Sequence, residues 1–101
     1  MDGGIVIGDN VTMASGVFIL THDASTNMHL GFTKKAPVKI GNDVFIGANT
    51  LILPGVTIGN RVIIGAGSIV TKDIPDNCVY AGNPAKKIKD IDEYLHKYKE
   101  K

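Results

Sequence analysis

Six aliphatic side chains fall at a strict spacing of six residues: Ile40, Ile46, Ile52, Ile58, Ile64 and Val70. Glycine follows at 41, 47, 59 and 65, and the position four after an aliphatic holds Val44, Thr50, Val56, Val62 and Ser68, all small or β-branched. The same register runs upstream through Ile7, Met13 and Ile19, with Gly8, Val11, Ala14 and Val17 around them. A period of six excludes an α-helix, whose 3.6-residue turn would scatter these side chains around its circumference. It fits short strands, in which residues i, i+2 and i+4 share a face, with a bend every six residues. Three such units close a triangular coil of eighteen residues. Ile40 then stacks on Ile58, Ile46 on Ile64 and Ile52 on Val70, with successive coils paired as parallel strands ~4.8 Å apart. Glycine supplies bend conformations that a Cβ would penalise. Asp9, Asn10, Asn42, Asp43, Asn49 and Asn60 suit the corners because their side chains tolerate left-handed backbone. An internal repeat outranks local propensity in deciding the fold.

The phase breaks once. Ile19 to Ile40 spans 21 residues, which reads as eighteen plus three. The polar stretch from Thr21 to Pro37 lacks the repeat and is expected to leave the prism as a loop and rejoin at Val38. After Val70 the pattern winds down. Asp73-Ile74-Pro75-Asp76-Asn77 reads as a turn and Gly82-Asn83-Pro84 as a second break. A helix is expected over 90–101, with Asp90 as N-cap, Glu93 three residues on, and an apolar stripe of Ile91, Tyr94, Leu95 and Tyr98. Lys97, Lys99 and Lys101 lie on its other face, and it is expected to cap the open end of the stack or to pack on a neighbour.

Composition narrows the function classes. The 101 residues make one small domain with a formal charge of +1, which gives no support to a nucleic-acid or anionic-membrane binder. A hydrophobic content of 44% excludes a disordered chain, and with 6% aromatics and no Trp the core must come from Ile and Val. A domain this short buries only roughly 60–65% of its unfolded surface, so help from oligomerisation is expected. Cys78 is the single cysteine, so no intrachain disulfide is possible. No apolar run approaches a membrane span, and Met1-Asp2-Gly3-Gly4 has no secretory character; a cytoplasmic protein is expected.

Ile40-Gly41-Asn42-Asp43-Val44-Phe45-Ile46-Gly47-Ala48, Leu53-Pro54-Gly55-Val56-Thr57-Ile58-Gly59 and the run from Ile64 to Pro75 resemble the hexapeptide-repeat acyltransferases. Ala81-Gly82-Asn83-Pro84-Ala85-Lys86 is similar to that family's exit from its β-helix. The nearest branch is the maltose, galactoside and capsular-sugar O-acetyltransferases, and the resemblance covers about residues 5–89. It implies an all-β, left-handed parallel β-helix, with domain limits of 1–89, an excursion at about 21–37 and a C-terminal helix. It implies a homotrimer with active sites between adjacent prisms, acetyl-coenzyme A as acyl donor, no metal, and a small-molecule or polysaccharide acceptor, as in polysaccharide biosynthesis. Relatives usually carry one or more further coils and an N-terminal helical segment before the position of Ile7; the resemblance therefore implies either a minimal or truncated member or an acceptor site built otherwise.

Such a transfer needs a base for the acceptor hydroxyl, a donor for the oxyanion and a groove for the thioester. His22 matches the family's base by position, at the root of the excursion. Asp23 is a candidate to orient it, while His29 and His96 read as surface residues. The resemblance assigns the oxyanion to the backbone N–H of Ala48. It runs the pantetheine arm past Ala66 and Thr71, sets Lys72, Lys86 and Lys89 near the nucleotide phosphates, and lines the cleft with Phe45. Two other functions compete. One is a non-catalytic β-helix module. The other is a γ-class carbonic anhydrase, which shares the fold but needs three convergent His ligands.

Overall fold

A computed structural model describes residues 4–99; Met1 to Gly3, and Glu100 and Lys101 at the end of the expected helix, lie outside the described residues. The first coil contributes β1 (Ile5–Ile7), β2 (Val11–Met13) and β3 (Phe18–Ile19). An excursion follows, with β4 (His22–Asp23), a 3₁₀ turn (Ala24–Thr26), α1 (Asn27–Leu30) and β5 (Lys34–Lys35). The second coil is β6 (Val38–Ile40), β7 (Val44–Ile46) and β8 (Leu51–Ile52), and the third is β9 (Thr57–Ile58), β10 (Val62–Ile64) and β11 (Ile69–Val70). A hairpin of β12 (Cys78–Gly82) and β13 (Ala85–Asp90) leads to α2 (Ile91–Lys99). None of the described helices is long and apolar enough to cross a membrane.

The strands form three parallel faces: β1-β6-β9, then β2-β7-β10-β12, and β3-β8-β11. Ile40 pairs with Ile58, Ile46 with Ile64 and Ile52 with Val70, as the period of six requires. All six are 3% exposed or less. Each Ile withdrawn from water in this way contributes roughly 2 kcal/mol relative to an exposed one. The +4 positions complete the core, because each lies two residues before the next aliphatic and points the same way, as Val44 does with Ile46 on β7. Val44, Val56 and Val62 are buried among the aliphatics. Thr50 and Ser68 are buried too, and both hydroxyls donate to the Gly65 carbonyl, at 3.2 and 2.6 Å. In the first coil Ile7 remains 47% exposed, because its strand is paired on one side only.

Two corner chemistries share the work that the sequence assigned to left-handed backbone alone. Asn10, Asp43, Arg61 and Asn77 follow one another down one corner with φ of 58°, 58°, 54° and 63°, and Asn49 adopts 60° at another. Arg61 is the surprise. Its guanidinium donates to Asn77 Oδ1 and pairs with Asp92 at 2.9 Å, which gives a long side chain reason to sit there. Asn42 and Asn60 act through their side chains. Asp9 N–H donates to Asn42 Oδ1, Asn42 N–H to Asn60 Oδ1 and Asn60 N–H to Asp76 Oδ1, each at 2.7 Å. This ladder explains Gly41, where a Cβ would lie 2.5 Å from Asn60 Oδ1 and 2.7 Å from the Gly59 carbonyl oxygen. Gly41→Ala should therefore cost about 1–3 kcal/mol in thermal unfolding. Gly4→Ala, where an added Cβ meets nothing within 4 Å, should leave the melting temperature unchanged.

Two expectations are corrected. Ile7 pairs with Ile40 and Ile19 with Ile52, an offset of 33 residues where the later coils have eighteen. The excursion thus inserts fifteen residues into one coil and is not a coil of eighteen with three extra. The chain after Val70 continues the second face, as β12 runs parallel to β10 and β13 turns back antiparallel at Asn83-Pro84. The helix seats on its own hairpin, β12 and β13, with Ile91 5% exposed. It starts at Ile91, and the Asp90 carboxylate meets Lys87 Nζ at 2.6 Å.

Candidate functional site

The excursion leaves the prism where the third face gives way to the first. Leu20 N–H still donates to the Ile52 carbonyl, at 2.9 Å, and the Thr21 carbonyl accepts from Ala36 N–H at 3.0 Å, which closes the neck of the loop. Beyond that neck β4 and β5 pair antiparallel, with His22 opposite Lys35. His22 is exposed, and its Nδ1 lies 3.0 Å from Thr21 Oγ1. Asp23, the candidate orienting group, caps the following turn, where its Oδ1 accepts from Ser25 N–H at 2.9 Å. Asp23, Ala36, Leu53, Pro54 and Thr71 line a cleft of about 240 Å³ beside the neck. Lys72 is exposed, next to Thr71 on the same corner.

The other candidates occupy a different corner, where the second face gives way to the third. Ala48 follows β7 and accepts from Gly67 N–H through its carbonyl, at 2.7 Å. Ala66 follows β10 one coil further on. The two coils touch closely here, since a Cβ on Gly47 would lie 2.5 Å from Ala66 N. The hairpin joins this corner through Gly82 N–H, which donates to Ser68 Oγ at 3.2 Å, and it presents an exposed Lys86 and a half-buried Lys89. Phe45 points outward from the second face, 42% exposed, into a groove of about 230 Å³ lined also by Asn10, Thr12, Ile63 and Ile91.

One chain thus brings Ala48, Ala66 and Lys86 to one edge, and His22, Thr71 and Lys72 to another, while Lys89, paired with Val79, sits back along the second face. His29 is exposed on α1 and His96 lies on α2, and among the described residues no three His, Cys, Asp or Glu side chains group as metal ligands. Cys78 is buried, with its thiol donating to the Pro75 carbonyl at 2.9 Å. Burial pushes that thiol up from its ordinary value, more than the nearby Lys87 draws it down. Two features escaped the sequence analysis: the contact between Thr21 and His22, and the β12–β13 hairpin. The apolar run Cys78-Val79-Tyr80 was the available signal for the hairpin.

Residues 37–72 match the family described as bacterial transferase hexapeptide (six repeats), and residues 1–21 match the hexapeptide repeat of succinyl-transferase. Protein CapG of Staphylococcus aureus is 58% identical over 97 residues, covering 89% of this chain and 55% of that protein. Galactoside O-acetyltransferase of Escherichia coli (strain K12) is 43% identical over 98 residues, covering 91% of this chain and 47% of that one. Among solved structures, a galactoside acetyltransferase in complex with coenzyme A aligns with a TM-score of 0.81 at 43% identity, over 91% of this chain and 48% of its own. A maltose O-acetyltransferase from Clostridium difficile 630 aligns with a TM-score of 0.72 at 36% identity, over 86% of this chain and 59% of its own. The chain spans about half the length of the curated relatives it matches.

Proposed function

This chain belongs to the hexapeptide-repeat transferases, and on that premise we propose that it is a coenzyme-A-dependent O-acetyltransferase acting on a hydroxyl of a sugar or polysaccharide. The observation that carries the reading is the match of the whole coil stack to a galactoside acetyltransferase that binds coenzyme A. The same match supports a left-handed winding of the coils.

The residues present fit the donor. Ala48 and Ala66 keep one edge of the prism low, and an added Cβ at Gly67 would meet nothing within 4 Å. That leaves room for an extended chain to lie along backbone amides. Lys86 would hold the phosphates at the end of this edge, with Lys89 further back along the second face, as flexible cations do. Thr71 and Lys72 would complete the groove from the other corner, and Phe45 would border it. When bound, the thioester supplies an activated acetyl group. His22 would take the proton of the acceptor hydroxyl as its oxygen attacks the carbonyl carbon, and would return it to the departing sulfur. The Ala48 N–H would face the charge that develops on the carbonyl oxygen.

His22 and Ala48 sit on different corners, so the reading requires a neighbouring prism to bring one corner against the other. A homotrimer does this and covers apolar surface that a small domain leaves open. Light scattering should therefore give about three times the chain mass of 10.7 kDa; a stable monomer would remove the composite cleft. A cytoplasmic setting agrees with a lone buried thiol. The function is tested by thiol release from acetyl-coenzyme A against a panel of sugars and polysaccharides, where the buried Cys78 adds little background. Release no faster than with the protein omitted, across every hydroxyl acceptor, would reject it.

A further inference from the structure

We propose that Thr21 is a positioning residue of this reaction: its hydroxyl accepts the Nδ1–H of His22 and so leaves Nε2 as the atom that takes the acceptor's proton. The proposal rests on His22 being the base. Thr21 is anchored at the excursion's neck. The residue before it, Leu20, is bonded to the second coil, and the Thr21 carbonyl accepts from Ala36 N–H at 3.0 Å. Its side chain is half-buried and β-branched, which restricts χ1. The exposed imidazole of His22 has no comparable packing, and its Nδ1 lies 3.0 Å from Thr21 Oγ1. A neutral imidazole carries one N–H and one lone pair, and the partner of one nitrogen decides which atom is which. A proton acceptor at Nδ1 therefore frees Nε2. The neighbours offer less. Asp23 caps its own turn through Oδ1, and Lys35, across the hairpin from His22, carries only donors.

The test compares Thr21→Val, Thr21→Ser, His22→Ala and the double variant Thr21→Val/His22→Ala by acetyl-transfer kinetics, with ¹⁵N NMR of the imidazole in the first two and the parent protein. The parent should show a protonated Nδ1 and a bare Nε2. Thr21→Val should shift His22 toward the Nε2–H tautomer and lower kcat about 2- to 13-fold, the range of one lost hydrogen bond, with KM for acetyl-coenzyme A unchanged. Thr21→Ser should restore both the tautomer and most of kcat. In the His22→Ala background the valine should cost nothing further. A parent imidazole protonated at Nε2, a kcat unaffected in Thr21→Val, or an equal loss in the double variant would overturn the proposal while leaving His22 as the base. An unchanged rate in His22→Ala would overturn the base assignment and the positioning role with it.

Discussion

Replacing His22 with Ala should slow acetyl transfer by ~10²–10⁴, the usual contribution of a positioned base. The side chain is exposed and lies outside the stacked core, so folding and assembly should survive the change. Donor affinity should barely move, because the lysines and backbone edge assigned to it lie on other elements; KM for acetyl-coenzyme A should stay within a few-fold. His29→Ala is the internal control, since that residue lies on α1 of the same excursion. Equal losses from both histidine variants, or loss of coenzyme binding with His22→Ala, would reject the assignment.

How much of this was legible in advance follows from where side-chain chemistry constrains the backbone. The coil core was read residue by residue, because a stacked column admits one aliphatic per face and any slip in phase exposes it. Ile46, Ile52 and Ile64 end up 0% exposed at the spacing that named them. The corners were read in kind but not in mechanism. Asn42 and Asn60 were expected for left-handed backbone and instead form a side-chain ladder, since an Asx residue can serve a bend in either way. The excursion's length in coil terms was misread, because a polar insert carries no phase and only the pairing of Ile19 with Ile52 counts it. The hairpin was missed because β13 alternates with lysines and reads as solvent-facing. Pairing with β12 is what makes it a strand. The candidate site was legible only through family resemblance. The excursion that carries His22 has no phase of its own, so the repeat does not indicate that His22 lies on a different corner from Ala48.

The stacked column itself gives the sharpest stability test. Ile58 is 1% exposed, paired with Ile40 on one side and with Ile74 on the other. Ile58→Val removes one methylene and should cost about 1 kcal/mol. Ile58→Asp places a carboxylate where no donor faces it, at a cost of several kcal/mol. That approaches the whole stability of a small domain, about 5–10 kcal/mol, so far-UV circular dichroism at neutral pH should show no cooperative unfolding transition. Ile88→Asp makes the same chemical change at a site 56% exposed and should shift stability by less than about 1 kcal/mol. The column also fixes the sign of a pH effect. The native stack can hold the introduced carboxyl only in its neutral form, so its folded-state pKa lies above the unfolded value of about 3.9. The loss is then complete above the raised folded-state value and shrinks as pH falls through it toward the unfolded one. Ile58→Asp should regain structure relative to the parent protein in mild acid, while Ile58→Val should track the parent at every pH. A folded, pH-insensitive Ile58→Asp variant would mean that this column is not the core of the coil.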